Sequence, residues 1–206
     1  MGGTVRVERD GHVGWVVIDN PERRNALTGE MFAALSAGLS ELDRDPGVQV
    51  IVLRGAGAHG FASGADIGGL GQASGAQPSG PLVAADKPVV AMIHGACIGG
   101  GLLVALGADI RVCADDARFA IPAVRLGVAY PYDGVRQLID VVGPTAGAEI
   151  LLTGSTFGAA EALRWGLVSR SVASSELEQV VRDMAAVIAA AAPLSVRAAK
   201  QSIRAA

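Results

Sequence analysis

Three segments carry residue types from which a reaction site can be built: 55-GAGAHGFASGADI-67, 94-HGACIGGG-101 and 118-RFAIPAVRLGVAYPYDGVRQL-138. Each falls in a turn between an expected strand and an expected helix, where loops on a rigid scaffold collect functional groups. Ala65 and Gly100 are small enough to let a ligand carbonyl reach the main chain. Their N–H groups can donate to an oxygen that turns negative, which is an oxyanion hole in outline. The alternative is that these glycines serve backbone geometry alone, the commoner use of Gly-rich turns before helices. No Gly-Lys-Ser/Thr ending follows them, so a phosphate-cradling P-loop is excluded. A dinucleotide fingerprint also fits poorly, because 99-GGG-101 lies far into the chain and no suitably spaced acidic residue follows a second strand.

The elements that must position these turns alternate. Residues 13-VGWVVID-19 and 48-VQVIVLR-54 read as strands, and 28-TGEMFAALSAGLSELD-43 between them places Met31, Leu35, Leu39 and Leu42 on one helical face. The next strand, 88-PVVAMIH-94, runs through the Gly-rich turn into a helix near 101–107, followed by strand 109-DIRVCA-114. Short helices are expected at 144-PTAGAEILLTG-154 and 158-GAAEALRWG-166, the second stopped by Gly166. The strand-like 167-LVSRSV-172 precedes a longer helix whose start has capping-box spacing at Ser175 and Glu178, and Pro193 breaks the Ala-rich run. The Gly, Ser and Pro content of 68-GGLGQASGAQPSGP-81 predicts a mobile loop.

Composition bounds what such a site can serve. With 206 residues and 50% hydrophobic content, one sizeable core and one domain are expected. Seventeen basic against 20 acidic residues give a net charge of −3, and aromatics are 4%, which argues against nucleic-acid binding. Cys97 and Cys113 lie in apolar stretches and read as buried free thiols of a reduced, cytoplasmic protein. No membrane association is expected: the N-terminus lacks an apolar signal core, Arg6 stands where myristoylation wants Ser or Thr, and 88–109 reads as a buried strand-turn-helix. Lys87, ahead of Pro88, is expected to be exposed.

Together, 20-NPERRNAL-27, the GADI of 64–67, 87-KPVVAMIHGACIGGG-101, 109-DIRVCADDARF-119 and 153-TGSTFGAAEALRWGLV-168 resemble the crotonase superfamily, or enoyl-CoA hydratase/isomerase family, over nearly the whole chain. The resemblance implies an α/β, ClpP/crotonase-like spiral of β-β-α turns with a helical C-terminal part. It implies trimers or dimers of trimers, with an acyl-CoA thioester as ligand and no cofactor beyond its CoA moiety. It carries the oxyanion-hole role onto the N–H groups of Ala65 and Gly100, and places Arg23, with Arg24 as the weaker candidate, where a basic residue meets the CoA phosphates. A solvated pair of arginines on a polar loop is the alternative. A single domain over 1–206 is expected, ending before the helices with which the family usually continues; the stretch between Asp66 and Lys87 is shorter than usual.

Two departures bear on the reaction. Hydratases of the family place glutamates where this chain has Leu103 and Ala123. A water between Leu and Ala has neither base nor proton donor, so the pattern argues against ordinary hydration. Ala123 also removes the isomerase-type carboxylate, and a dienoyl-isomerase aspartate would fall at Pro131. The remaining polar candidates are Tyr130, Tyr132, Asp133, His59 and His94. His94 reads as a structural imidazole, His59 as exposed, Asp133 as a helix cap, and Asp66 and Asp109 as partners of backbone. Tyr130 stands apart because 126-LGVAY-130 resembles the LGVPY of methylmalonyl-CoA decarboxylase, a crotonase relative that needs an oxyanion hole and a hydrogen-bonding group but no base. That enzyme has His where this chain has Ala65 and keeps the first glutamate where this chain has Leu103. Two function classes follow: an acyl-CoA enzyme of enolate chemistry, and a catalytically silent acyl-CoA-binding protein.

Overall fold

Apolar runs without alternation mark strands covered on both faces, and the computed structural model, which describes residues 3–64 and 85–205, shows what covers them. The chain opens with a hairpin of β1 (Thr4–Asp10) and β2 (Val13–Asp19), turned at Gly11, whose φ of 58° suits glycine. The helix α1 (Gly29–Arg44) follows, its first turn capped by Thr28, whose hydroxyl accepts from the Met31 N–H. Its 3.6-residue period buries Met31, Leu35, Leu39 and Leu42, as expected from the sequence.

From there the chain steps repeatedly between two sheets. β3 (Val50–Gly55) leads to β4 (Gly60–Ala62), β5 (Val89–Ile93) to β6 (Ala96–Ile98) and then α2 (Gly100–Leu106), and β7 (Ile110–Ala114) to β8 (Arg118–Ala120). The first strand of each pair joins a six-stranded sheet ordered β1-β2-β3-β5-β7-β10, and the second joins a four-stranded sheet ordered β4-β6-β8-β9, with β9 at Phe157–Gly158 and β10 at Arg170–Val172. Neighbours from successive steps pair in parallel. Each step therefore stacks on the one before, a spiral of repeated units.

Alternate residues of the large sheet face two different cores. Val16, Ile18, Ile51, Leu53, Val89, Ala91 and Ile93 pack with α1, α2 and the small sheet. Trp15, Val17, Val50, Val52, Val90 and Met92 pack against the Leu177, Val181 and Ala185 face of a later helix.

The C-terminal part is helical: α3 (Ala123–Leu126), α4 (Tyr132–Thr153), β9 (Phe157–Gly158), α5 (Ala159–Arg164), β10 (Arg170–Val172), α6 (Leu177–Ala190) and α7 (Pro193–Ala205). Gly143, at φ 77°, interrupts α4 just before Pro144. Pro193 begins α7, consistent with the expected break.

Two local expectations are corrected. Ser175 and Glu178 form no capping box: α6 starts at Leu177, and neighbouring Ser174 donates to Asp115 instead. Lys87 is buried, 1% exposed, because its Nζ reaches the carbonyls of Leu42 and Asp45 near the end of α1. No single helix among the described residues is long and apolar enough to cross a membrane.

Candidate active site

The three glycines after β6 have different jobs. Gly99 adopts φ 50°, ψ −112°, a conformation that residues with a Cβ rarely enter. A Cβ on Gly101 would overlap the carbonyl oxygen of Ala62 on β4, so close helix–strand packing requires glycine there. The structural use weighed from the sequence thus holds for these two. Gly100 is the first residue of α2, so its N–H has no intrahelical acceptor.

Gly100 borders a cavity of about 300 Å³, lined also by Ser63, Gly64, Ile98, Ile121, Ala123 and Tyr130 among others. Gly64 brings the chain to the cavity edge, and Ala65, the expected second donor, follows it but lies outside the described residues, as do Asp66 and the 68–81 loop. Among the described lining residues none carries a carboxylate. Ala123 faces the cavity, whereas Leu103 is withdrawn from it: its Cδ1 would lie 2.8 Å from a Cβ on Gly134.

Tyr130 is half-buried at the cavity wall, and its hydroxyl donates to the Gly99 carbonyl at 3.3 Å. Burial pushes its phenol well above the ordinary 10.0, so it is neutral at physiological pH. Tyr132 is 78% exposed. Asp133 is exposed and lies inside the first turn of α4, where Pro131 holds the cap position, so the expected cap is corrected to a first-turn carboxylate. His94 has Nε2 2.9 Å from the Gly57 carbonyl, and burial lowers its pKa from 6.5, as a structural imidazole requires. His59 is exposed, and Asp109 accepts from the Val89 N–H at 2.7 Å.

Arg23 and Arg24 are exposed on the loop that adjoins the cavity edge, with Arg24 in the left-handed region at φ 51°. Ser63 Oγ donates to the Arg23 carbonyl at 3.0 Å, and Leu27 N–H to the Gly64 carbonyl at 2.8 Å, so this loop and the cavity edge are one unit. Its shape rests on two buried asparagines that sequence reasoning left within a motif without a role. Asn25 donates to the carbonyls of Ala56 and Gly60 and accepts from the Asn20 N–H, while Asn20 Nδ2 donates to the Ala26 carbonyl. Paired Asn residues flanking a proline turn were the available signal. Cys97 and Cys113 are buried free thiols, raised by burial, Cys113 to about 11.

Residues 8–206 match the family model described as enoyl-CoA hydratase/isomerase. Carnitinyl-CoA dehydratase of Shigella flexneri is 34% identical, over 99% of this chain and 81% of that protein. (E)-Benzylidenesuccinyl-CoA hydratase of Thauera aromatica is 35% identical, over 96% and 81%. Among solved structures, an enoyl-CoA hydratase/carnithine racemase from Magnetospirillum magneticum has a TM-score of 0.93 at 33% identity, covering 98% of this chain and 80% of that one. An enoyl-CoA hydratase from Mycobacterium tuberculosis H37Rv has a TM-score of 0.88 at 33% identity, covering 97% and 88%.

Proposed function

Because this chain belongs to the enoyl-CoA hydratase/isomerase family and has the crotonase fold, we propose that its cavity receives the acyl end of a CoA thioester and stabilises enolate-like charge on the thioester oxygen. The observation that carries this is the Gly100 N–H, at the wall of an apolar cavity with no intrahelical acceptor. Ala65 supplies the second donor in this reading. A preorganised N–H in a water-poor site strengthens as charge develops on the oxygen, and losing one such donor costs about 3 kcal/mol of transition-state stabilisation. Arg23, on the loop adjoining the cavity edge, would meet the CoA phosphates.

Hydration is the weak part of the family repertoire here. The relatives named above include a dehydratase and a hydratase, yet this chain offers a methyl at Ala123 and a withdrawn isobutyl at Leu103. Neither can take a proton from water or give one to a carbanion. A second reading, decarboxylation of a malonyl-type thioester, is favoured by Tyr130 at the cavity wall beside Gly100. In that step the bond to the carboxylate breaks, CO₂ leaves, its electron pair forms the enolate with charge on the thioester oxygen, and the α-carbon then takes a proton from solvent, so no base is needed. A catalytically silent acyl-CoA-binding protein would keep the cavity and lose the chemistry.

A substrate panel separates these readings. Crotonyl-CoA hydration is expected to be absent or feeble, with CO₂ release from methylmalonyl-CoA or another malonyl-type thioester above it. Silence on all substrates with CoA binding retained supports the binding protein. A thioester soaked into crystals with its oxygen beyond about 3.2 Å of both nitrogens overturns the donor pair. A trimer or pair of trimers belongs to the same proposal, since Leu152, Val187, Leu194 and Ile203 are exposed apolar surface. Sedimentation as a monomer at micromolar concentration counts against it.

A further inference from the structure

A peptide unit is planar, and in its trans form the C=O and N–H point in opposite directions. The Gly99 carbonyl and the Gly100 N–H belong to one such unit, and the described residues contain no cis bond. Whatever grips the Gly99 oxygen therefore aims the Gly100 N–H. That oxygen accepts two hydrogen bonds, from the Leu103 N–H at 3.0 Å and from the Tyr130 hydroxyl at 3.3 Å. The preceding amide is fixed as well, since Gly99 N–H donates to the Ala120 carbonyl at 2.8 Å. Restraint matters here because glycines flank the plane on both sides and allow it wide rotation.

We propose that Tyr130 is a positioning residue: through the Gly99 carbonyl its hydroxyl holds the Gly99–Gly100 peptide with the N–H facing the cavity and strengthens that N–H as a donor. A hydrogen bond to the carbonyl polarises the amide, and polarised chains of hydrogen bonds reinforce one another. The ring is held in turn by α4. A Cβ on Gly134 would come within 2.8 Å of Tyr130 Cε1, so the bare glycine makes room for the phenol.

The inference rests on the oxyanion role proposed for Gly100, and one measurement tests both separately. Butyryl-CoA labelled with ¹³C at the thioester carbonyl is bound to the full chain at pH 7, and its carbonyl stretch is read by isotope-edited infrared difference spectroscopy. The wild type is expected to lower the stretch relative to water, and Tyr130→Phe to lose roughly half of that lowering while affinity changes less than about threefold. No lowering in the wild type overturns the Gly100 reading itself. An unchanged lowering in Tyr130→Phe overturns the positioning role alone. So does a large loss of affinity with the lowering retained, which would place Tyr130 directly on the ligand. Should Tyr130→Phe fail to fold by circular dichroism, 3-fluorotyrosine at position 130 keeps the ring and makes a stronger donor. A larger lowering is then expected, and no change overturns the inference.

Discussion

The two ends of β5 solve opposite problems. At its start, Lys87 and Lys200 are buried, 1% and 5% exposed, and their donors are taken up by oxygens. Lys87 Nζ meets the Leu42 and Asp45 carbonyls, and its N–H meets Asp43. Lys200 Nζ meets the Lys87 carbonyl at 2.6 Å and Asp109 at 2.7 Å, and so ties α7 to the sheet. Beyond its other end, past β6, the described cavity wall is largely apolar and carries no charged side chain, its polar groups being the Ser63 and Tyr130 hydroxyls and the backbone, Gly100 N–H included. Buried charge with its partners in place gives a rigid anchor, because removing any partner leaves an uncompensated ion. A neutral wall with a fixed donor is adapted to charge that appears during a reaction.

The largest effect should come from altering the neutral end. Ala123→Glu, which places a carboxyl at the cavity wall, is expected to raise crotonyl-CoA hydration by about 10²-fold or more, and adding Leu103→Glu to raise it little further because that side chain is withdrawn from the cavity. The two changes should differ in cost. The carboxyl introduced by Ala123→Glu would enter the cavity, whereas that of Leu103→Glu would be buried against Gly134 and Tyr130 and should cost roughly 2 kcal/mol or more. Urea midpoints of the single variants check this, and equal losses would show that Ala123 is not at the cavity wall.

Removing charge at the anchored end comes next. Lys87→Met keeps the aliphatic stem but removes the Nζ donor from the Leu42 and Asp45 carbonyls, leaving Asp45 with only the Val48 N–H, and is expected to cost about 3 kcal/mol in urea denaturation while thioester affinity of the folded fraction stays unchanged. A neutral result would mean that Lys87 is not a structural anchor. Gly101→Ala should follow at about 2 kcal/mol, since its methyl meets the Ala62 backbone, which cannot rotate away.

The smallest effect concerns pH. Burial lowers the His94 pKa from 6.5, so as pH falls through 6.5 the unfolded chain takes up the proton before the folded one does. The stabilising contribution is therefore complete above pH 6.5 and is lost as the pH falls toward the folded value. Thermal melts between pH 7.5 and 5.5 should show that loss, and His94→Asn should flatten it. An identical pH profile in the variant would move the titration to another group.

Much of the fold was legible because local periodicity reports burial. Met31, Leu35, Leu39 and Leu42 recur at helical spacing, and the runs in β2, β3 and β5 are apolar on both faces because helices cover both. Lys87 was misread because a charged type predicts exposure, and its acceptors lie 42 and 45 residues earlier in the chain. Ser175 and Glu178 had cap spacing, but spacing does not say where the first helical turn begins.

By itself the sequence determined which peptide groups small residues leave open to a ligand, and which two carboxylates are missing, because both are properties of residue type. Tertiary structure alone decided what those groups do together. It withdrew Leu103 from the cavity while leaving Ala123 on it, and it brought the Tyr130 hydroxyl, 31 residues away, onto the carbonyl of Gly99. The direction of an N–H depends on what holds the other side of its peptide plane, and that partner comes from the segment between α3 and α4, outside the spiral.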